Sequence, residues 1–386
     1  MTGTAAEVVT PAGGAGDGRQ RSGRRHLYQV DVVRLLTFAC VVGVHTASLT
    51  SNPSSVGAGA VEVLLHFTRD AFFMLSAFVL FLAHGRGHLR LGSFWRRRFL
   101  YIGVPYVVWT VVYWWIWAGV PQGPELRALG LDLLQGTGQY HLYFLLVSMQ
   151  LYLLFPVLLW LVRRTAGHHV ALFVVAAVFE LAVMSLTHWS TWPGRWNDLQ
   201  VHIYELAPTY AFYFIAGGLA AVHFDRFHTW VVERPRAVVG LVLSAAALQL
   251  GVFAAHIAVT GSPGLASDPL QPTMVTWSVA VVIGFYALGC RYADRRRAGS
   301  RLARVVDQAS LISFGVYLVH PLFLNTLLGR WLGFGPSPLP AAVSGLLAWA
   351  GALALSAAFA AVAVRTPAAL PLTGRRRLGQ GPGGAA

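Results

Sequence analysis

The sequence predicts an all-α polytopic membrane protein of about ten transmembrane helices with both termini on the cytoplasmic side. Three observations carry that prediction. The 386 residues are 56% hydrophobic and only 11% charged, with a mean hydropathy of +0.57, far more apolar than a water-exposed surface tolerates. Apolar runs of bilayer-crossing length recur along the whole chain. The arginines between those runs alternate from one side to the other, as positive-inside loops do.

Residues 1–29 are rich in Gly, Arg and Ser and lack the cleavage pattern of a secretory signal, so they read as a disordered cytoplasmic tail. The crossing runs lie near 30–50, 62–83, 99–118, 140–162, 168–187, 206–223, 237–259, 272–290, 308–329 and 340–364, inside one domain over 30–365. Residues 366–386 form a second disordered cytoplasmic tail by composition. With the N-terminus inside, most of the 29 basic residues, all of them Arg, fall in the tails and inner loops. Only Arg127, Arg195 and Arg330 fall outside, while Arg34 and Arg69 lie within helices. One miscounted helix would scramble this alternation. The formal charge of +14 is therefore spread over short clusters and forms no single basic face, which argues against nucleic acid as a partner.

Ionisable groups inside apolar helices are costly unless paired or wetted, so each marks a candidate site. In the first helix Arg34 and His45 stand eleven residues apart, about three full turns plus 20°, and so share one face. Their axial separation is about 16 Å, which puts Arg34 near the cytoplasmic surface and His45 in the outer half. Snorkelling to headgroups would also account for Arg34, and an interhelical hydrogen bond for His45. The second helix carries Arg69 and Asp70, followed by Ser76. Adjacent helix positions point about 100° apart, so each of the pair is expected to find a partner on another helix. His141 opens the fourth helix, Glu180 lies in the fifth and Glu205 opens the sixth, all at about the depth of His45.

At the opposite surface Arg96, Arg97 and Arg98 precede the third helix, suited to phosphates as well as to the positive-inside rule. In the ninth helix Tyr317 and His320 sit three apart on one face, just before Pro321. Cys40 and Cys290 both fall in apolar runs and permit no disulfide framework. The adjacent His168 and His169 read as a solvated link, and no metal is expected.

Taken in order, these segments resemble the acyltransferase-3 family of membrane-bound acyltransferases. The matches are Arg34 and His45 in the first helix, Phe72-Phe73 through Ser76-Ala77-Phe78 in the second, and Phe94 to Arg98 with Pro105-Tyr106. Tyr317 to Pro321 supplies the fourth. Tyr140-His141 with Leu151 to Pro156 is similar to the branch that acetylates or succinylates surface polysaccharides. Two positions depart from the family pattern: Ala77 replaces its Gly, and Tyr101 stands where a second Arg is usual.

The resemblance implies that His45 deprotonates an acceptor hydroxyl or relays the acyl group. It further implies that Arg34 with Arg96, Arg97 and Arg98 holds an acyl-CoA donor, acetyl-CoA foremost, as co-substrate. Arg69, Asp70, Ser76, His141, Glu180, Glu205, Tyr317 and His320 would then serve the acceptor or support the site. The expected acceptor is a glycan or glycolipid, the setting a bacterial cytoplasmic membrane with its lipid, and homodimer formation stays open. Two other readings also stay open: a polysaccharide or lipid-linked sugar exporter without chemistry, and acylation of a small-molecule natural product.

Overall fold

The computed structural model describes residues 7–8, 25–50, 52, 54–85, 87, 89–119, 123–327 and 340–379. Arg19, Arg21, Arg24, Arg86 and Arg330 of the charge alternation lie outside these residues. Among the described residues the chain is almost entirely helical, with one two-residue antiparallel pairing of Glu7–Val8 with Arg25–His26.

Helix α1 spans Tyr28–Thr50. Helices α2 (Val56–Leu65) and α3 (Thr68–His84) follow end to end as a single 29-residue apolar span with a loosened turn at His66–Phe67. Helix α4 (Leu91–Arg98) runs through a π-helical turn at Phe99–Gly103 into α5 (Val104–Ala118). Pro105 explains that turn: it has no N–H for the carbonyl four residues back, so the helix widens locally and continues.

Helix α6 (Pro124–Gln135) lies in the linker expected near 119–139 and is tied to α5 by Tyr106 Oη donating to the Leu133 carbonyl at 2.7 Å. Then come α7 (Tyr143–Arg164), α8 (His169–Trp189) and α9 (Trp196–Val201). After two 3-10 turns follow α10 (Ala211–Val222), α11 (Phe224–Glu233) and α12 (Pro235–Thr260). Helices α13 (Pro263–Ala266), α14 (Met274–Arg295), α15 (Arg301–Thr326), α16 (Ala341–Ala363) and α17 (Ala369–Thr373) complete the bundle.

All ten expected crossing runs have a helical counterpart among the described residues. Nine meet the length and hydropathy of a span, and the tenth, Ala207–Val222, is shorter. The second span is the hub, with 72% of its apolar window buried, against 17% for α8 and 22% for α12. Those outer helices expose Val170, Val175, Val178 and Leu243, side chains that a lipid solvent accepts and water would not. At the hub, α3 and α10 approach backbone to backbone: a Cβ on Gly217 would stand 2.1 Å from the Met74 carbonyl oxygen, so only glycine fits.

Prolines inside two further helices also orphan carbonyls, and each is satisfied by a side chain. Pro156 releases the Tyr152 carbonyl, which accepts from Trp95 Nε1 at 3.0 Å and so docks α4 against α7. Pro321 releases the Tyr317 carbonyl, which His320 Nδ1 meets at 2.7 Å.

Residues 366–379, assigned by composition to a tail, instead fold back on the bundle. Trp109 Nε1 donates to the Leu372 carbonyl at 3.2 Å and the Leu378 amide donates to the Val364 carbonyl at 3.0 Å. Thr373 is buried there. Composition missed this because the segment has only a few apolar side chains and docks largely through hydrogen bonds to residues far away in the sequence.

Candidate functional site

The polar groups of the bundle gather at two levels. At one end Asp31, buried on the first turn of α1, accepts from Ser310 Oγ of α15 at 2.7 Å and lies 2.5 Å from His26 Nε2. Arg34 stands one turn on, 3.5 Å from the same carboxylate, with its Nη1 3.4 Å from Ser310 Oγ. Arg98 stacks its guanidinium over the Tyr152 ring at 5.3 Å and the Phe94 ring at 5.6 Å.

About three turns further along α1, His45 borders a cavity of about 390 Å³. Its walls come from α1 (Val41, His45), the α2–α3 break (His66, Arg69, Phe72), the start of α7 (Tyr140, His141, Tyr143) and α15 (Tyr317), with Tyr204 and Pro269 from loops. The His45 ring packs 4.6 Å from Tyr140 and stacks at 5.4 Å on His320, which lies 5.2 Å from His141. Among the described residues His45 forms no hydrogen bond, so both of its nitrogens are left for a ligand.

Local sequence sets the state of His320 behind it. A carbonyl can only accept, so the Tyr317 carbonyl freed by Pro321 holds the proton on His320 Nδ1 and leaves the lone pair on Nε2, which is buried without a partner. Tyr317 Oη in turn donates to the His141 carbonyl at 2.5 Å, tying α15 to the start of α7.

Three helices carry this two-level pattern at matching spacing: Arg34 and His45 on α1, Tyr152 and Tyr143 on α7, Ser310 and His320 on α15. Nine to eleven residues of helix separate each pair, about 14–16 Å. Between the levels the α1 face presents Phe38 and Val41, and Phe38 packs against Phe72 at 4.4 Å and Tyr317 at 5.8 Å. An aromatic layer thus separates the cationic end from the histidine cavity.

Arg69 and Asp70 correct one expectation. They do pair with each other, Nε to Oδ1 at 3.2 Å, although their Cβ directions diverge, because the long Arg stem curls back around the helix. The partners on other elements also exist: Ser278 Oγ donates to Asp70 Oδ2 at 2.8 Å, and Arg69 Nη2 donates to the Pro269 carbonyl at 2.6 Å. The Arg69 guanidinium lies over the Tyr204 and Tyr210 rings at 5.4 and 5.5 Å. Arg69 therefore reaches the cavity already oriented, while Asp70 stands behind it.

Other candidates fall elsewhere. Glu180 is fully buried and its Oε2 accepts from the Phe212 amide at 3.3 Å, so it caps the first turn of α10 and does not line the cavity. Glu205 pairs with His202 at 3.0 Å; burial lifts its carboxyl above the usual range, with His202 opposing. Ser76 lies on α3 away from the cavity lining. Arg96 and Arg97 point outward and are exposed, leaving Arg98 as the member of that run turned toward Tyr152.

The structure also adds residues that sequence reasoning passed over. His66 lines the cavity opposite His45, and its Nδ1 is buried without a partner. Tyr204 lines it too and donates to Asp268 Oδ1 at 3.2 Å. Burial alone would raise the Asp268 carboxyl, but its contact with His188 and the Leu270 amide hold it below the usual carboxylate range. His66 was open to detection by the rule that singled out Glu180, an ionisable group inside an apolar run. Tyr204, Ser310 and Asp268 carry no such local signal. Among the described residues no three His, Cys, Asp or Glu side chains converge in an arrangement able to hold a metal.

A family model described as an acyltransferase domain, the third of that name, matches residues 27–365. That match covers both levels of the site and every helix from α1 to α16. No curated protein and no solved structure matches the chain.

Proposed function

This chain belongs to the acyltransferase-3 family and is a multi-pass membrane acyltransferase; from that premise we propose that it moves an acyl group, acetyl foremost, from acyl-CoA to a hydroxyl of a glycan or glycolipid. The observation that carries this reading is His45, a half-buried imidazole with no hydrogen bond among the described residues, on the wall of a cavity about three helical turns from a cationic cluster on the same face of α1.

The division of labour follows from chemistry. The donor's phosphates are anionic and suit the Arg34 and Arg98 end, which faces the cytoplasm of a bacterial cell in this reading. Its thioester must then pass the Phe38 layer on a narrow, flexible arm to reach the His45 cavity. There, neutral His45 takes the proton of the acceptor hydroxyl as its oxygen attacks the thioester carbonyl carbon. The C–S bond breaks, the ester forms, and the imidazolium returns the proton to the departing thiolate.

Arg69, held by Asp70 and the Pro269 carbonyl, supplies a fixed positive charge at the cavity wall for the developing oxyanion. Tyr140, Tyr143 and Tyr204 offer aromatic faces and hydroxyls of the kind sugars pack against. His320 positions His45 by stacking, its own tautomer set by the Tyr317 carbonyl. A carrier without chemistry would need no free imidazole at the cavity and would not account for the family match.

The test is turnover of labelled acetyl-CoA by purified protein in nanodiscs, wild type against His45→Gln. Loss of general-base catalysis lowers the rate by about 10²–10⁴-fold with the melting temperature retained. Undiminished turnover by the variant removes His45 from the chemistry. A wild type that consumes none of several short acyl-CoA donors removes the proposed donor.

A further inference from the structure

The fold-back of the C-terminal segment brings a second arginine into the corner occupied by Arg34. Arg375 extends its Nη2 to within 3.5 Å of the Ser310 carbonyl, on the same residue whose hydroxyl serves Asp31 and Arg34. Its neighbour Arg376 donates through Nε to Tyr101 Oη at 2.7 Å.

This placement is built into the backbone. Gly374 adopts a left-handed conformation at φ 63°, where a Cβ would stand 2.4 Å from the Phe314 ring and 2.6 Å from the Tyr101 carbonyl oxygen. Only glycine permits that turn, and the turn aims the next two residues at the bundle. Beyond it, Arg377 Nε donates to the Arg365 carbonyl at 2.9 Å and the Leu378 amide to the Val364 carbonyl, so the segment is pinned on both sides of Arg375.

Asp31 is the carboxylate shared by Arg34, Arg375 and His26, and it is already engaged by Ser310. Asp307, one turn before Ser310 on α15, pairs with Arg296 at 2.8 Å. Burial and then the Arg34 charge push the Arg375 guanidinium down to about 10, with Asp31 opposing. Arg34 and Arg375 reach the hydroxyl and the carbonyl of the same serine, Ser310, and two guanidiniums converging on one residue suit an anionic ligand.

We propose that Arg375 and Arg34 together form the binding corner for the phosphates of the acyl donor, so that the segment after α17 is a working part of the donor site. The inference rests on the acyl-CoA reading above and adds to it a residue far outside the first-helix motif. Arg98, over Tyr152, and Arg376, on Tyr101, flank the corner as further positive charge.

The test compares wild type, Arg375→Gln and Arg375→Lys in zwitterionic nanodiscs, by calorimetric titration with coenzyme A and by KM for acetyl-CoA against acetyl-pantetheine, which lacks the nucleotide. Loss of charge-assisted bonds worth about 1.5–3 kcal/mol weakens coenzyme A binding by about ten- to a hundredfold in Arg375→Gln. KM for acetyl-CoA rises in step, kcat changes little, and acetyl-pantetheine kinetics stay at the wild-type value. Arg375→Lys keeps the charge without the fork, so it loses less and serves if the Gln variant does not fold.

Equal coenzyme A affinity in wild type and variants overturns the proposal, as does an equal loss with acetyl-pantetheine, which would mark Arg375 as structural. If Arg375 changes affect only retention of phosphatidylglycerol added to the nanodisc, the anion is a lipid headgroup and the donor assignment fails. A wild type that binds no coenzyme A at all refutes the donor reading itself, a separate result from failure of Arg375.

Discussion

Replacing Asp70 by Asn probes the buried pair that orients Arg69. Asp70 is fully buried, with Arg69 Nε on one oxygen at 3.2 Å and Ser278 Oγ on the other at 2.8 Å. Asparagine keeps one carbonyl oxygen for Arg69 Nε, and its amide N–H can donate to Ser278 Oγ once that hydroxyl rotates to accept, so both contacts survive but the carboxylate charge is lost. Hydrogen bonds to charged groups are worth about 1.5–3 kcal/mol and neutral ones about 1 kcal/mol. Stranding one member of a buried pair costs about 3–5 kcal/mol at the extreme. Arg69 is not wholly stranded, because the Pro269 carbonyl at 2.6 Å and the two tyrosine faces remain, the latter worth up to about 2 kcal/mol. The expected loss is therefore about 2–3 kcal/mol for Asp70→Asn, read from denaturant titration in mixed micelles. The double variant Arg69→Met with Asp70→Leu should recover most of it, because no charge is left buried, while losing acyl transfer with Arg69. Asp70→Asn within about 0.5 kcal/mol of wild type, or a double variant as unstable as the two single changes summed, would refute the assignment of a coupled pair.

His320→Ala should cost at least about 1–3 kcal/mol by leaving the Tyr317 carbonyl unsatisfied, and adding Pro321→Ala should return about 1 kcal/mol, since an alanine after position 320 supplies the missing helical N–H; melting curves of both variants check this. Gly217→Ala should abolish the folded species, because its Cβ meets the Met74 carbonyl oxygen across the α3–α10 seam, and size-exclusion yield in detergent reads it directly. Glu180→Gln keeps an acceptor for the Phe212 amide and should lose less than about 1 kcal/mol, whereas Glu180→Ala should lose about 1–2 kcal/mol, with acyl transfer retained by whatever fraction remains folded. Phe38→Ala should open the aromatic layer between the two levels and raise hydrolysis of the donor relative to transfer, measured as free thiol released without acceptor.

Local rules recovered much of this molecule. Apolar run length located nine helices long and apolar enough to cross a membrane and a tenth, shorter one, because the bilayer imposes span length on the chain directly. The shared face of Arg34 and His45 followed from helix geometry alone, and the i,i+3 spacing of Tyr317 and His320 before Pro321 indicated a site that the structure joins to His45. The missing N–H of a proline is a sequence fact, and it sets the His320 tautomer as soon as that segment is helical.

What tertiary packing decided was membership. Nothing in the run Arg96-Arg97-Arg98 says which arginine turns inward; the position of Tyr152 on α7 selects Arg98. Ser310, Tyr204 and Arg375 join the site from 276, 135 and 341 positions beyond Arg34, Arg69 and Arg34 respectively, as their numbers show. Contacts across such separations depend on how helices pack, which no period of 3.6 residues encodes. The same holds for residues 366–379, which a single glycine turn and hydrogen bonds with Trp109 of α5 and Ser310 of α15 dock on the bundle. Sequence determined which stretches are long and apolar enough to form the helices of the bundle; only the packed bundle determined which polar groups face one another.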